Sequence, residues 1–362
     1  MDKLKLIVLD NFKDFGDNVV KHLHKLDKRQ AKYSLKTNVT RFNNGEGKVI
    51  IDDCIRDIDV YILSDVGNYG MTYELHGHTN YMGPDEHYQD IKRVLSALSG
   101  YANRITLVTP LLYQSRQDKR HGRESLDCAI SLQELERLGV NHIIGFDVHN
   151  PNVSNAIPNL PFENFFPTNT ILRSLIKKEN VKDLLVISPD MGAMERARYY
   201  AEILGCDVGV FYKRRDLSKV VDGKNPIVEH SYMGCDVKNK NIIIVDDMIA
   251  SGGSMLEVAE VLKSKGANNI YFVVTYALFT EGLNMFNLAY REGIFNKLYT
   301  TNLSYIPKEY QEKRYFEVVD MSKSVAEIID YLHDGKSLKP LLNKKEEIKK
   351  IMKDKEKKVS KV

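Results

Sequence analysis

The stretch Asn241-Ile-Ile-Ile-Val-Asp-Asp-Met-Ile-Ala-Ser-Gly-Gly-Ser254 decides the fold class. Four apolar residues predict a buried strand, and two adjacent carboxylates, Asp246 and Asp247, come directly after it. A loop of small residues follows. Ser254 and Glu257 then have the spacing of a capping box, which predicts a helix over 254–265. A strand, a short loop and a helix in this order are typical of α/β proteins.

The loop before this helix predicts a phosphate site. N–H groups at a helix start can hold a phosphate where no bulky side chain covers them, and adjacent ribose hydroxyls can donate to Asp246 and Asp247. We therefore expect a sugar 5-phosphate here. The loop residues of the predicted site are Ala250, Ser251, Gly252, Gly253 and Ser254. The alternative is a generic strand–loop–helix unit, because acids often follow buried strands in α/β proteins.

Apolar runs and helical patterns alternate along the rest of the chain, which predicts mainly parallel sheets flanked by helices. Each half contains a strand that ends in acids, so we expect two tandem domains of similar plan. The segment 150–167, rich in Asn and Pro, predicts the boundary. We place the domains at 1–162 and 163–335. The tail, 336–362, is rich in Lys and Glu and is expected to be a solvated helix rather than a nucleic-acid-binding segment.

Composition narrows the class of protein. The chain has 362 residues, of which 43% are hydrophobic and 28% charged, as expected of a globular protein with two domains. Its net charge of +3 gives no argument for nucleic acid, and no apolar run approaches the roughly 18 residues of a membrane span. Four separated cysteines without a CxxC pair predict reduced thiols. We expect a cytoplasmic protein with neither a nucleic-acid nor a membrane partner.

Further polar groups follow other predicted strands. Arg116 can stack on a base or bind phosphate oxygens, and Gln117 can read a polar edge. His149 and Asp190 offer one imidazole and one carboxylate, which suit Mg²⁺ when waters and phosphate oxygens complete its shell. The cations of Lys213-Arg-Arg215 repel one another, which favours a bound anion such as a polyphosphate undergoing transfer. Each group alone also fits a solvated surface loop.

Taken in this order, five segments resemble the ribose-phosphate diphosphokinase family, which has the type I phosphoribosyltransferase fold. They are 116–119, 147–151, 188–198, 213–215 and 246–254. The resemblance extends from about residue 4 to residue 342, without a Walker A motif. It implies two phosphoribosyltransferase-like domains and transfer of the β,γ-diphosphate of Mg-ATP to ribose 5-phosphate, giving phosphoribosyl diphosphate and AMP for nucleotide biosynthesis.

The resemblance also implies roles for individual residues. Lys213 and Arg215 would stabilise the transition state, His149 and Asp190 would hold Mg²⁺, and Asp246 would hold the ribose. The residues implied to bind ATP are Phe42, Asn44, Gly45, Glu46, Arg116 and Gln117. Because the adenine pocket would be supplied across a subunit contact, the resemblance implies a homo-oligomer, a hexamer built from dimers.

Three departures from the family pattern raise an alternative. Ala250 and Asn44 stand where the family usually has acids. The stretch 66–90 is longer than its counterpart, and it predicts an ordered surface insertion rather than a metal site built from its histidines. These departures favour a catalytically inactive regulatory paralogue. An active enzyme is favoured by the retained Lys213, Arg215, His149 and Asp190. An ordinary phosphoribosyltransferase would explain 246–254 but not 116–119.

Overall fold

The computed structural model describes residues 3–27, 32–215, 227–342 and 344–359. The strands up to residue 165 are β1 (Leu4–Val8), β2 (Thr37–Arg41), β3 (Gly47–Ile51), β4 (Asp59–Leu63), β5 (Thr72–Leu75), β6 (His78–Tyr81), β7 (Arg104–Val108), β8 (His142–Phe146) and β9 (Phe162–Phe165). The helices in this part are α1 (Lys13–Leu26), α2 (Pro84–Leu98) and α3 (Asp127–Arg137).

The remaining strands are β10 (Leu184–Ser188), β11 (Asp207–Arg215), β12 (Ile227–Met233), β13 (Asn241–Ile249), β14 (Ile270–Ala277), β15 (Lys297–Thr301) and β16 (Phe316–Val319). The remaining helices are α4 (Thr168–Lys178), α5 (Met194–Leu204), α6 (Gly253–Ser264), α7 (Asn284–Arg291), α8 (Lys308–Gln311), α9 (Ser322–His333), α10 (Lys339–Leu342) and α11 (Lys345–Val359).

The chain forms two compact units, and it returns to the first one near its end. The first unit comprises Met1–Pro167, Asn302–Pro307 and Asp320–Leu342, and the rest of the chain forms the second. The sequence expectation of one continuous second domain over 163–335 differs from this division. The physical reason is α9, whose buried Val325, Ile328 and Ile329 belong to a helix that packs against α1.

The two units have the same strand order. In the first, the sheet is β1-β4-β7-β8-β9, all parallel, and Ser34 makes a parallel bridge with Leu6 on the free side of β1. In the second, the order is β11-β10-β13-β14-β15-β16, also parallel, with β12 antiparallel on β11. The chain reverses its direction across the sheet next to β1 and next to β10. The predicted α/β class and the duplicated plan are confirmed.

The basic tail is not a solvated helix. Ile348 is fully buried, and Ile351 and Met352, three and four residues later, pack against the same apolar cluster of the second unit. Glu347 also pairs with Arg173 of α4. Because positions i, i+3 and i+4 share one face of a helix, α11 has an apolar face. The expectation of a solvated helix is therefore wrong.

Candidate functional site

The crevice of the second unit lies where its strand order reverses. β10 and β13 pair in parallel up to Ile187 and Ile244, and beyond that point β13 continues to Ile249 paired only with β14. In open α/β sheets, ligands bind at such a reversal, outside the carboxyl ends of the strands. Asp246 and Asp247 therefore lie at this edge, although within β13 rather than after it as predicted.

The two carboxylates differ in exposure. Asp247 is buried, whereas 24% of the Asp246 side chain is exposed, and a carboxylate oxygen of Asp246 lies 3.7 Å from the guanidinium of Arg196 on α5. The backbone N–H of Asp247 donates to Asp246 Oδ1 at 2.9 Å. Because successive strand residues point to opposite faces, Asp246 is the member of the pair that reaches the crevice.

Partial burial raises the pKa of Asp246 well above its ordinary range, and the neighbouring charge of Asp247 raises it further. Arg196 opposes both effects. Two adjacent carboxylates with one nearby cation favour a shared proton or a ligand that donates hydrogen bonds. A vicinal diol is such a ligand.

The loop after β13 starts α6 through a glycine. Gly252 is the N-cap, with φ +85°, and its carbonyl accepts hydrogen bonds from the N–H groups of Met255 and Leu256. The predicted capping box, with Ser254 as the N-cap, is therefore wrong. A left-handed backbone at residue 252 begins the helix one residue earlier, at Gly253, and it needs no capping side chain.

The helix start leaves backbone donors for an anion. The N–H groups of Ser251, Gly252, Gly253 and Ser254 make no hydrogen bond within the described parts of the chain. The carbonyl of the neighbouring Ala250 accepts from Thr280 N–H at 3.0 Å, which ties the loop to the segment after β14. Four consecutive free donors at a helix N-terminus form a cradle for a phosphate.

Asp190 forms the turn between β10 and α5. Its Oδ1 accepts from the N–H groups of Gly192 and Ala193, at 2.8 and 3.1 Å, while its side chain stays exposed. Oδ2 makes no hydrogen bond to any described residue. One carboxylate oxygen is thus fixed by the backbone and the other is available to a cation.

Lys213 and Arg215 lie inside β11 rather than after it, because this strand continues to Arg215 in antiparallel pairing with β12. Their side chains are outside the described part of the structure. The polar, glycine-containing segment 216–224, for which the sequence predicts a mobile loop, also lies outside the described residues.

The turn of the β2–β3 hairpin carries the predicted adenine residues. Asn44 Oδ1 accepts from Glu46 N–H at 3.1 Å, and Asn44 Nδ2 donates to Glu46 Oε2 at 3.0 Å. Gly45 has φ +89°, and Phe42 is 46% exposed. The first unit thus brings these four residues together in one ordered turn with an exposed aromatic ring.

Arg116, Gln117 and His149 follow the ends of β7 and β8, which are neighbours in the first sheet. All three side chains are exposed. Asn150 Nδ2 donates to Asp118, which joins the two loops. The structure therefore brings Arg116, Gln117 and His149 to one edge of the first unit, as expected from parallel strands.

The insertion over 66–90 is ordered. β5 and β6 form a hairpin that turns at His76 and Gly77, and His87 is buried in α2. Among the described residues no three His, Cys, Asp or Glu side chains are grouped to hold a metal ion. The predicted order of this stretch is confirmed by the paired strands of the hairpin.

Two features of the site were missed in the sequence. Arg196 is not among the predicted site residues, because its pairing with Asp246 depends on which strands are neighbours. Gly252 carries the sharp turn, a role that its glycine identity could have indicated.

None of the helices in the described residues has the length and apolar composition of a membrane span.

Comparisons with known proteins agree with this geometry. A family model described as the N-terminal domain of ribose phosphate pyrophosphokinase matches residues 4–139, and a phosphoribosyl transferase domain model matches residues 167–283. A ribose-phosphate pyrophosphokinase from Burkholderia pseudomallei is 30% identical over 68% of this chain and 71% of that protein. One from Haemophilus influenzae is 26% identical over 92% of this chain and 100% of that protein.

A solved structure shares the fold. The crystal structure of phosphoribosylpyrophosphate synthetase from Mycobacterium smegmatis matches with a TM-score of 0.76 and 22% sequence identity. The match covers 92% of this chain and 99% of that one.

Proposed function

The chain belongs to the ribose-phosphate pyrophosphokinase family, and from this premise we propose that it transfers the β,γ-diphosphate of ATP to the C1 hydroxyl of ribose 5-phosphate. The observation that carries the proposal is the cradle at Ser251–Ser254, next to the carboxylate pair at 246–247. Its four N–H groups make no hydrogen bond to any described residue. A 5-phosphate on the cradle and ribose hydroxyls on Asp246 satisfy both groups in one ligand.

In the proposed reaction the C1 hydroxyl oxygen attacks the β-phosphorus in line. The bond from that phosphorus to the α–β bridging oxygen breaks, and AMP leaves. Catalysis of this kind depends mainly on positioning and on charge stabilisation. We assign the stabilising charge to Lys213 and Arg215. We assign ATP binding to Arg116 and Gln117 and to the turn that contains Phe42, Asn44, Gly45 and Glu46, supplied by a second subunit.

Two side chains of the chain are suitable ligands for Mg²⁺. His149 offers an exposed imidazole and Asp190 one carboxylate oxygen without a hydrogen bond among the described residues. Mg²⁺ binds through one or two protein ligands with waters and substrate phosphates, so an all-protein cage is not required. We propose that His149 and Asp190 hold it. When bound, it neutralises charge on the triphosphate oxygens.

Ala250 is compatible with activity in this scheme. Its backbone carbonyl accepts a hydrogen bond from Thr280 N–H, and the cradle itself is built from backbone N–H groups. We further propose that the protein acts in the cytoplasm as a hexamer built from dimers, since the adenine turn would serve a neighbouring subunit.

The test is AMP formation from ATP, Mg²⁺ and ribose 5-phosphate, with the sugar omitted as a control. We expect sugar-dependent AMP together with phosphoribosyl diphosphate. A folded protein that binds both substrates without turnover would instead be the regulatory paralogue. A requirement for a nucleobase acceptor would identify an ordinary phosphoribosyltransferase.

A further inference from the structure

The first unit has its own cavity at the carboxyl end of β1. The cavity measures about 160 Å³ and begins at Leu9, Asp10 and Asn11, directly after the strand. β1 is the strand beside which the first sheet reverses its order, as β10 is in the second. The cavity thus occupies the position where α/β sheets bind ligands.

The β5–β6 hairpin and the residues that flank it line one side of this cavity. Met71, Thr72 and Tyr73 line it from β5 and the residue before it, and Met82 lines it from the residue after β6. An apolar cavity of about 150 Å³ holds one benzene ring, so the volume here suits a planar ring of nucleobase size. Methionine side chains adapt to aromatic ligands, and Tyr73 offers its own ring.

The charges of the lining disfavour an anion. Arg41 Nη2 lies 3.1 and 3.3 Å from the two carboxylate oxygens of Asp90, and Asp90 is also bound by Arg93. The Arg41 guanidinium also lies 5.2 Å from the centre of the Tyr73 ring. Asp10 makes no ion pair or side-chain hydrogen bond with any described residue. A phosphate would therefore face a free carboxylate and a cation that is already engaged.

His87 adds an acceptor to the lining. Its ring is buried, and its Nε2 lies 2.6 Å from the carbonyl oxygen of Asn68. Because a carbonyl only accepts, Nε2 carries the proton and Nδ1 is left as an acceptor. Burial also lowers the pKa of His87, which keeps the ring neutral. Asp10 and His87 together suit a ligand that brings N–H donors.

We propose that this cavity binds a neutral nucleobase, free or as its nucleoside, with the ring between the methionines and Tyr73 and its N–H groups directed to Asp10 and His87. All residues that line it belong to the first unit, whereas the residues of the sugar-phosphate crevice belong to the second. The cavity also differs from the ATP residues proposed above, because Phe42, Asn44 and Glu46 do not line it.

Uracil and orotate form a matched pair of probes, because orotate is uracil with an added carboxylate. Ligand-observed NMR titrations on the full-length protein would measure both dissociation constants. We expect uracil to bind saturably and orotate to bind at least about tenfold more weakly, since its carboxylate faces Asp10. Asp10→Asn should weaken uracil about tenfold and narrow the gap to orotate. The control Asp14→Asn changes an exposed carboxylate on α1 outside the cavity and should leave both constants unchanged.

A competition experiment distinguishes binding in the cavity from binding in the proposed ATP site. The non-hydrolysable analogue α,β-methylene-ATP should leave uracil bound if the cavity is the site. Displacement of uracil by this analogue would place the base in the ATP site and overturn the proposal. Absence of saturable uracil binding, or uracil binding that Asp10→Asn leaves unchanged, would overturn it as well.

Discussion

The two units share a strand order. They differ in what surrounds the carboxylates near the carboxyl ends of the equivalent strands, β4 and β13. Leu4 pairs with Asp59 in the first sheet as Leu184 pairs with Asn241 in the second, which makes Asp65 the counterpart of Asp247. In the second unit the neighbouring Asp246 is partly exposed beside Arg196. In the first, Asp65 is fully buried.

The contacts of Asp65 explain the difference. Its carboxylate accepts from Ser304 Oγ at 3.0 and 3.1 Å, from Tyr305 N–H at 2.7 Å and from Gly67 N–H at 2.9 Å. Ser304 and Tyr305 belong to the segment that returns to the first unit. The position of Asp65 is held in the second unit by the buried Asp247, and the carboxylate that faces ligand there is the adjacent Asp246, the counterpart of Ser64.

The largest expected effect compares the same substitution in the two units. Asp246→Asn should lower kcat/KM for ribose 5-phosphate by about 10²-fold, because two charge-assisted hydrogen bonds are worth about 1.5 kcal/mol each. Asp65→Asn should change it by less than about twofold, since Asp65 is enclosed by protein. Steady-state assays of AMP formation measure both.

An equal loss of kcat/KM in the two variants would contradict this expectation, because Asp65 would then influence the reaction from inside the first unit. Thermal unfolding of both variants serves as the control. A fall in kcat/KM that follows a fall in Tm would reflect folding rather than ligand binding.

The site in the second unit was predictable because its parts are adjacent in sequence. Four apolar residues, two acids and a glycine-bearing loop all lie within 241–254. The partner of Asp65 was not predictable, since Ser304 is 239 positions away and reaches it only through the returning segment. Likewise, the reversal of strand order that places Asp246 beside α5 depends on sheet topology, which no local pattern records.

The adjacent glycines at 252 and 253 give a second, smaller test of the cradle. A Cβ on residue 252 would clash with the Phe286 ring and would also strain the backbone at φ +85°, whereas a Cβ on residue 253 would meet nothing within 4 Å. Gly252→Ala should therefore cost about 2 to 3 kcal/mol of unfolding free energy and raise KM for ribose 5-phosphate. Gly253→Ala should stay within about 0.5 kcal/mol.

Denaturant unfolding and the KM for ribose 5-phosphate report these two effects separately. Gly253→Ala could instead raise KM as much as Gly252→Ala without loss of stability. The left-handed backbone at residue 252 would then not be what shapes the cradle. The cradle would then depend on open space above both glycines.

The pH dependence of stability tests whether burial in the first unit sets the charge of Asp65. Burial raises the pKa of Asp65 to about 7 from its ordinary 3.8, against the hydrogen bonds from Tyr305, Gly67 and Ser304. Between these values the folded chain keeps a proton that the unfolded chain has lost. The stability that this proton contributes is fully present below about pH 4 and is lost as the pH rises through about 7.

From pH 5.5 to pH 8, Asp65 should thus lower the unfolding free energy by about 2 kcal/mol, since one pKa unit corresponds to about 1.4 kcal/mol. Asp65→Asn cannot ionise, so its loss over the same range should be smaller by that amount. Denaturant titrations of both proteins at the two pH values measure this difference in unfolding free energy. The contributions of all other titrating groups are the same in both proteins and cancel. Equal pH dependence in the two proteins would mean that Asp65 is ionised throughout, stabilised by its three donors alone, and that burial in the first unit does not set its charge.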